Sequence, residues 1–239
     1  MITSKKLLRQ KEIRHGFFNR YSSKYSRIYR ALNDKYISGD KIKKNYQNIF
    51  FPNQIHSNKY IFIGKKLRLN KKRIKADAII TDQKKLPIGI LTADCVPVLI
   101  YDNKRKMIAA IHAGWKGALK GIIQNVINFM LVKGCTRESI VAAIGPCIQQ
   151  KSYNVGKDFK KKFLKKNKRH IRFFKTKKDI IYFDLPNFLK YELISNKITN
   201  LDTINIDTFE KRNNFFSARQ SLKLKHDDYG RNISIIMIN

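Results

Sequence analysis

The stretch 76–121, ADAIITDQKKLPIGILTADCVPVLIYDNKRKMIAAIHAGWKGALKG, constrains this chain more than any other. Residues 88–91, 96–101 and 107–111 each read as a buried strand, being short apolar runs rich in β-branched residues and bounded by turn formers. Cys95 and His112 then fall where a strand meets a turn. A thiolate and an imidazole presented at the rim of a sheet are borderline-soft donors in fixed positions, a combination suited to Zn²⁺. A third donor, His56, lies in FPNQIHSNKY, between the apolar run at 49–51 and a strand expected at 60–63. His56, Cys95 and His112 would leave one coordination position open, as catalytic zinc sites do. Their separations match no short local zinc pattern, so spacing alone does not assign the metal.

Composition narrows the class. A chain of 239 residues with 43% hydrophobic content is expected to fold as one domain over 1–239 with a buried core. No apolar run is long enough for a bilayer, and MITSKKLLRQKEIRHG lacks the apolar middle of a secretory signal, so a cytoplasmic location is expected. Cys95, Cys135 and Cys147 give no disulfide framework, which suits a thiolate ligand. The 51 Lys and Arg against 17 Asp and Glu leave a formal charge of +34. Such a field attracts phosphate-bearing ligands. The excess is spread along the chain beside many Asn and Ile, with no zinc-finger, RNA-recognition or helix-turn-helix signature, so specific nucleic-acid recognition is not expected.

The rest of the chain alternates. Residues 118–132 have helical apolar spacing with Gly134 just beyond, and the turn HAGWKG would open this helix with N–H groups free for an anion, Lys116 reading as a solvated surface lysine ahead of an anion contact. Trp115 has two open readings, stacking on a purine or closing the core. Residues 140–144 read as a strand that ends near Cys147, which is open between a fourth ligand, a nucleophile, a thiol beside the metal and a small buried thiol. Residues 157–168 read as a basic helix with Phe159 and Phe163 inward, 180–183 as a strand, and Asp184 as the cap of a helix through 196. A strand is expected at 203–206, and His15 reads as a hydrogen-bonded structural histidine. Strands alternating with helices, with hairpin-like neighbours, define an α+β fold of mixed sheets.

The runs QIHS, ADAIITD, GILTADCVPVLIYD, AAIHAGWKG, AAIGPCI with SYNVG following, and FFSAR together resemble the laccase-domain family. The resemblance runs from RHGFFNRYSSKYS to YGRNISIIMI. Members of that family have been described as polyphenol oxidases, as zinc-dependent purine nucleoside phosphorylases with adenosine deaminase side activity, and as peptidoglycan editing factors. The resemblance implies mixed β-sheets packed in layers with helices outside and a single active site. It implies zinc ligands His56, Cys95 and His112, with Cys147 near the metal but not a ligand. Arg20 and Arg219 match substrate or phosphate contacts, because a guanidinium fits an oxyanion bidentately, and Arg231 is a further match. The chain departs from the pattern at Ser22-Ser23, commonly Gly-Gly, in the short segment before His56, at Asp207-Thr208, often Cys-Thr, and at Ala218 and Gln220 in FFSARQ.

The chemistry follows from the donor set. Zinc held by two imidazoles and a thiolate lowers its bound water to a pKa of roughly 7, suited to deamination at C6 of adenine. Phosphorolysis instead needs phosphate oriented by Arg219 or Arg20. Asp94, beside the Cys95 ligand, has two open readings, general acid or base and turn anchor. Multicopper chemistry is disfavoured, since the chain has only His15, His56, His112, His170 and His226. The expected function is zinc-dependent phosphorolysis of adenosine, inosine and methylthioadenosine with adenosine deamination beside it. The alternatives are a hydrolase that edits peptidoglycan precursors and a non-enzymatic basic protein that binds phosphate or nucleic acid.

Overall fold

The computed structural model describes residues 1–21, 49–64, 74–225 and 230–239. Ser22-Ser23, His226 and most of the short segment before His56 lie outside the described residues. The first strands are β1 (Ile13–Phe18), β2 (Tyr60–Ile63), β3 (Ala78–Thr81), β4 (Ile88–Thr92), β5 (Val96–Asp102), β6 (Met107–Ala113) and β7 (Ile140–Ile144). Those that follow are β8 (Asn154–Val155), β9 (Phe174–Lys177), β10 (Ile180–Phe183), β11 (Leu201–Thr203) and β12 (Asn232–Ile238). The helices are α1 (Lys5–Leu8), α2 (Trp115–Leu119), α3 (Ile122–Val132), α4 (Lys157–Lys166), α5 (Leu185–Ser195) and α6 (Ala218–Lys223).

A six-stranded sheet in the order β11-β7-β5-β6-β3-β2 forms the middle of the fold. Its directions follow from connection length. The short turn between β5 and β6 can only return the chain antiparallel, whereas the longer link from β2 to β3 permits a parallel pair. Period-two alternation then sorts the side chains between two cores. Val96, Val98, Ile100, Ala109 and Ile111 face the helical side, where Ile123, Val126, Ile127, Phe188 and Leu189 cover them. Leu99, Tyr101, Ile108 and Ala110 face the other way, onto Phe17, Ile88, Ile90 and Ile236 from the antiparallel sheet β1-β12-β4. Each fully buried aliphatic side chain contributes about 1.5–3 kcal/mol. The expected α+β fold of layered mixed sheets with helices outside is therefore the observed one.

Local expectations hold with corrections. The strands expected at 88–91, 96–101 and 107–111 are β4, β5 and β6, each one or two residues longer. Residues 118–132 do not form one helix: Gly121, at φ 83°, turns into the left-handed region and separates α2 from α3. The basic helix stops at Lys166, because Asn167 is extended and its side chain accepts from Arg169 N–H to start a 3₁₀ turn, Lys168–Phe173. The strand expected at 203–206 lies earlier, at β11, where pairing with β7 reaches Ile144 and Ile206 N–H then turns back onto the Ile204 carbonyl. Asp184 caps α5 as expected, accepting from Asn187 N–H. His15 is structural, its Nε2 accepting from Ser4 N–H at 2.9 Å. Among the described residues no helix is long and apolar enough to cross a membrane.

Candidate metal centre

His112 is the penultimate residue of β6 and stands opposite Pro97 of β5, while Cys95 immediately precedes β5. The antiparallel register thus brings both to one rim of the central sheet. By parity His112 shares the face of Ile108 and Ala110, which turns toward the second sheet. His56 arrives from a loop, with its backbone at φ 56°. That loop is fastened on two sides: Gln54 exchanges side-chain hydrogen bonds with both backbone groups of Leu91 in β4, and Asn125 of α3 donates to the Asn58 carbonyl. The donor atoms of His56, Cys95 and His112 lie within 4.8 Å of one another, and Cys95 Sγ is 3.9 Å from His56 Nε2.

Asp77 organises the three, and the sequence reading missed it. It sits one residue before β3, wholly buried, and its carboxylate accepts from His112 Nδ1 at 2.8 Å and from the N–H groups of Ile55, His56 and Ser57. Ser57 Oγ adds a further bond at 2.7 Å. Burial raises the Asp77 pKa, but the bonds from His112 and Ser57 outweigh it and hold the group at about 2. Because this carboxylate stays ionised, His112 donates through Nδ1 and turns Nε2 toward the other two donors, the arrangement that orients metal-bound histidines. The signal available in ADAIITD was an acid immediately ahead of an apolar run.

Without metal the site holds a charge pair. Burial pushes the Cys95 thiol up, yet the neighbouring His112 and His56 bring it down to about 6. Burial lowers His112, while Cys95 and Asp77 together raise it to about 9. Glycine makes the approach possible: a Cβ on Gly114 would stand 2.9 Å from His56 Cδ2 and 3.1 Å from Cys95 Sγ, and one on Gly117 only 2.6 Å from the Ser57 carbonyl.

The remaining candidates surround this centre in different ways. Asp94, at φ 78°, accepts from Thr208 Oγ1 at 2.7 Å, Ser217 Oγ at 2.9 Å and Arg219 N–H at 2.7 Å. This geometry ties the Cys95 loop to the start of α6. Burial raises its pKa. The Arg219 guanidinium reaches the Asn154 carbonyl and Oδ1 and lies 5.3 Å from the Tyr153 ring centroid. Arg20 binds the Phe215 carbonyl at 3.4 Å and covers Phe216. The Arg20 side chain thus rests on 215–216, whereas that of Arg219 leaves α6 for 153–154. Trp115 packs on Phe159 at 4.9 Å, joining the helical core. α2 has five residues, so the dipole expected behind HAGWKG is short. Cys147 is fully buried, with its pKa well raised by burial, as a small core thiol should be. Asp207 accepts from Ser152 Oγ at 2.6 Å and from Phe209 N–H, and Gln220 donates to the Phe209 carbonyl.

The fold and this rim define a class: a layered α+β protein with a His–Cys–His centre between two sheets, oriented by a buried carboxylate. The chain belongs to the family described as multi-copper polyphenol oxidoreductase laccase, which matches residues 14–239. It is 32% identical over 227 residues to purine nucleoside phosphorylase RP494 of Rickettsia prowazekii, covering 92% of each chain. It is also 31% identical over 142 residues to adenosine deaminase RL5 of an unknown prokaryotic organism, covering 57% of this chain and 54% of that one. The hypothetical protein YfiH of Bacillus licheniformis has a similar structure, with TM-score 0.73 and 27% identity over 84% of this chain and 78% of that one.

Proposed function

We propose that this protein is a zinc-dependent purine nucleoside phosphorylase acting on adenosine, inosine and methylthioadenosine. The observation that carries the reading is the donor triplet His56, Cys95 and His112, with His112 oriented through Nδ1 by Asp77. The set fits one Zn²⁺: two imidazoles and a thiolate that is already favoured near neutral pH, with too few donors to close a structural site. It does not fit a multicopper cluster. The other described histidines are engaged elsewhere, His15 with Ser4 N–H and His170 with the Phe163 carbonyl. When bound, zinc supplies a Lewis acid at the rim.

The protein groups then divide the work. Asp77 keeps His112 in one tautomer and the 55–57 loop in place. Arg219, anchored through its backbone to Asp94, and Arg20 hold phosphate oxygens beside the sugar, by exchanging their present neutral partners for a charged one. Asp94 keeps the Cys95 loop and α6 in register. Adenosine deamination is a second activity of the same centre, favoured by the resemblance to the relative named adenosine deaminase.

The test is a chromatographic product assay on metal-analysed protein, with adenosine and inosine, each with and without phosphate, beside Cys95→Ala. Free base released only with phosphate, and lost in the variant along with zinc, supports the reading; inosine formed from adenosine without phosphate supports the second activity. Bound zinc with both nucleosides intact overturns the substrate assignment and directs the assay to peptidoglycan precursors.

A further inference from the structure

Residues 157–178 hold twelve Lys and Arg and one acid, Asp158. The sequence reading spreads the positive excess along the chain; this share of it falls on three successive elements. α4, the 3₁₀ turn Lys168–Phe173 and β9 follow one another directly, and β9 is folded back against β10. Eleven of the twelve cations are exposed, and Lys160 is half-buried. The same elements turn Phe163, His170 and Phe173 inward. There the rings interlock, with Phe163 and Phe183 at 4.5 Å, Phe159 and Phe163 at 5.0 Å, and Phe173 and Phe188 at 5.4 Å. The backbone that carries the cations is therefore braced, and little ordering is needed to present them together.

Charge compensation within the protein is slight. Among the described residues only Lys161 of this set has a carboxylate within ion-pair distance, Asp158 at 3.5 Å, and both are exposed. Two kinds of surface present phosphates densely enough to face such an array, an anionic bilayer and a nucleic-acid backbone. A bilayer rewards large apolar side chains that enter its interface. Here the exposed large apolar residues are Ile171 and Ile180, while Phe163 and Phe173 are buried and Phe159 and Phe174 half-buried. Among the described residues of these elements no ring is fully exposed, since Phe159 and Phe174 pack on one another and Phe174 on Phe183, so unstacked bases, which single strands offer, find little to stack on. What remains is a rigid cationic face suited to a regularly spaced phosphodiester backbone.

We propose that the face formed by α4, the Lys168–Phe173 turn and β9 binds the phosphate backbone of double-stranded nucleic acid without reading its sequence. It adjoins the metal centre at Trp115: Lys162 Nζ lies 5.6 Å from that ring, and Trp115 directly follows Gly114, which lines His56 and Cys95. The binding is independent of the phosphorolysis reading, and a loss of catalysis leaves it intact.

Fluorescence anisotropy with a labelled random-sequence DNA duplex at low and physiological salt tests it. The variant combines Lys161→Glu, Lys165→Glu, Lys168→Glu and Arg169→Glu; the control makes the same charge change at Lys5, Arg9, Lys11 and Arg14, all exposed and far along the chain. The face variant should weaken binding by about tenfold or more and flatten the salt dependence, while the control changes it less than about threefold. Asp158→Lys should tighten binding by about twofold, an outcome that no folding defect produces. Equal losses in face variant and control would overturn the proposal, because binding would then follow net charge alone. Binding to vesicles of anionic phospholipid with none to the duplex would overturn it as well.

Discussion

One carboxylate, Asp77, accepts from His112 Nδ1 and from three successive backbone N–H groups at 55–57, so it positions a ligand from the sheet and a ligand from a loop together. Asn in its place keeps the shape but presents an amide to donors that need an acceptor. Asp77→Asn should weaken zinc binding by about 10–100-fold in a chelator competition, and unchanged affinity would remove Asp77 from the centre. The charge pair beside it gives a second prediction. Cys95 is depressed to about 6, so its contribution to folding is full above its ordinary 9.0 and is lost as pH falls through about 6. His112 is raised to about 9, so its contribution is full below 6.5 and is lost as pH rises through about 9. The metal-free protein should therefore show thiolate absorbance with a midpoint near 6 and lose thermal stability on both sides of the window from about 6 to 9. In His112→Gln the thiolate midpoint should return toward 9.0, and a midpoint left near 6 would dissociate the pair.

At the scale of elements, the centre exists because a hairpin, a loop and a short helix approach more closely than side chains normally allow. The β5–β6 hairpin carries Cys95 and His112, and α2 begins against the His56 loop without a Cβ at Gly114 or Gly117. The two glycines predict different defects. Gly114→Ala meets ligand side chains and should reduce zinc affinity with only a small change in thermal midpoint. Gly117→Ala meets the Ser57 backbone carbonyl, which cannot rotate away, and should cost about 1–3 kcal/mol in denaturant unfolding. Identical profiles for the two variants would mean that the loop and α2 move as one body. The same scale explains the split of the expected 118–132 helix: apolar spacing continues through Gly121, but a positive φ there lets α3 turn its own apolar face onto β6, β3 and β2.

Over the whole molecule a net charge of +34 is held by two apolar cores on either side of one sheet. Self-repulsion of that size opposes compactness and is screened by salt. Adding monovalent salt should raise the thermal midpoint by on the order of a few °C, the opposite of its effect on polyanion binding, and a midpoint insensitive to salt would show the charges already compensated. Much of this architecture was legible in the sequence, because strands such as β5 and β6 announce themselves by apolar runs between turn formers, and because Cys95 and His112 sit where those runs end. The α5 cap at Asp184 and the structural His15 were legible for the same local reason: their partners lie near in sequence or need only one hydrogen bond. The rest depended on distance in space. Asp77 looked like any acid before a strand until β3 paired with β6, and nothing near Asp94 in sequence foretold its bonds to Ser217 and Thr208. The sequence by itself determined the strands, the ligand types and the sign of the field, since each depends on a residue and its neighbours. Only the tertiary structure decided which carboxylate orients the centre, where α3 starts and which cations share a face, since these depend on contacts between segments that local pattern does not encode.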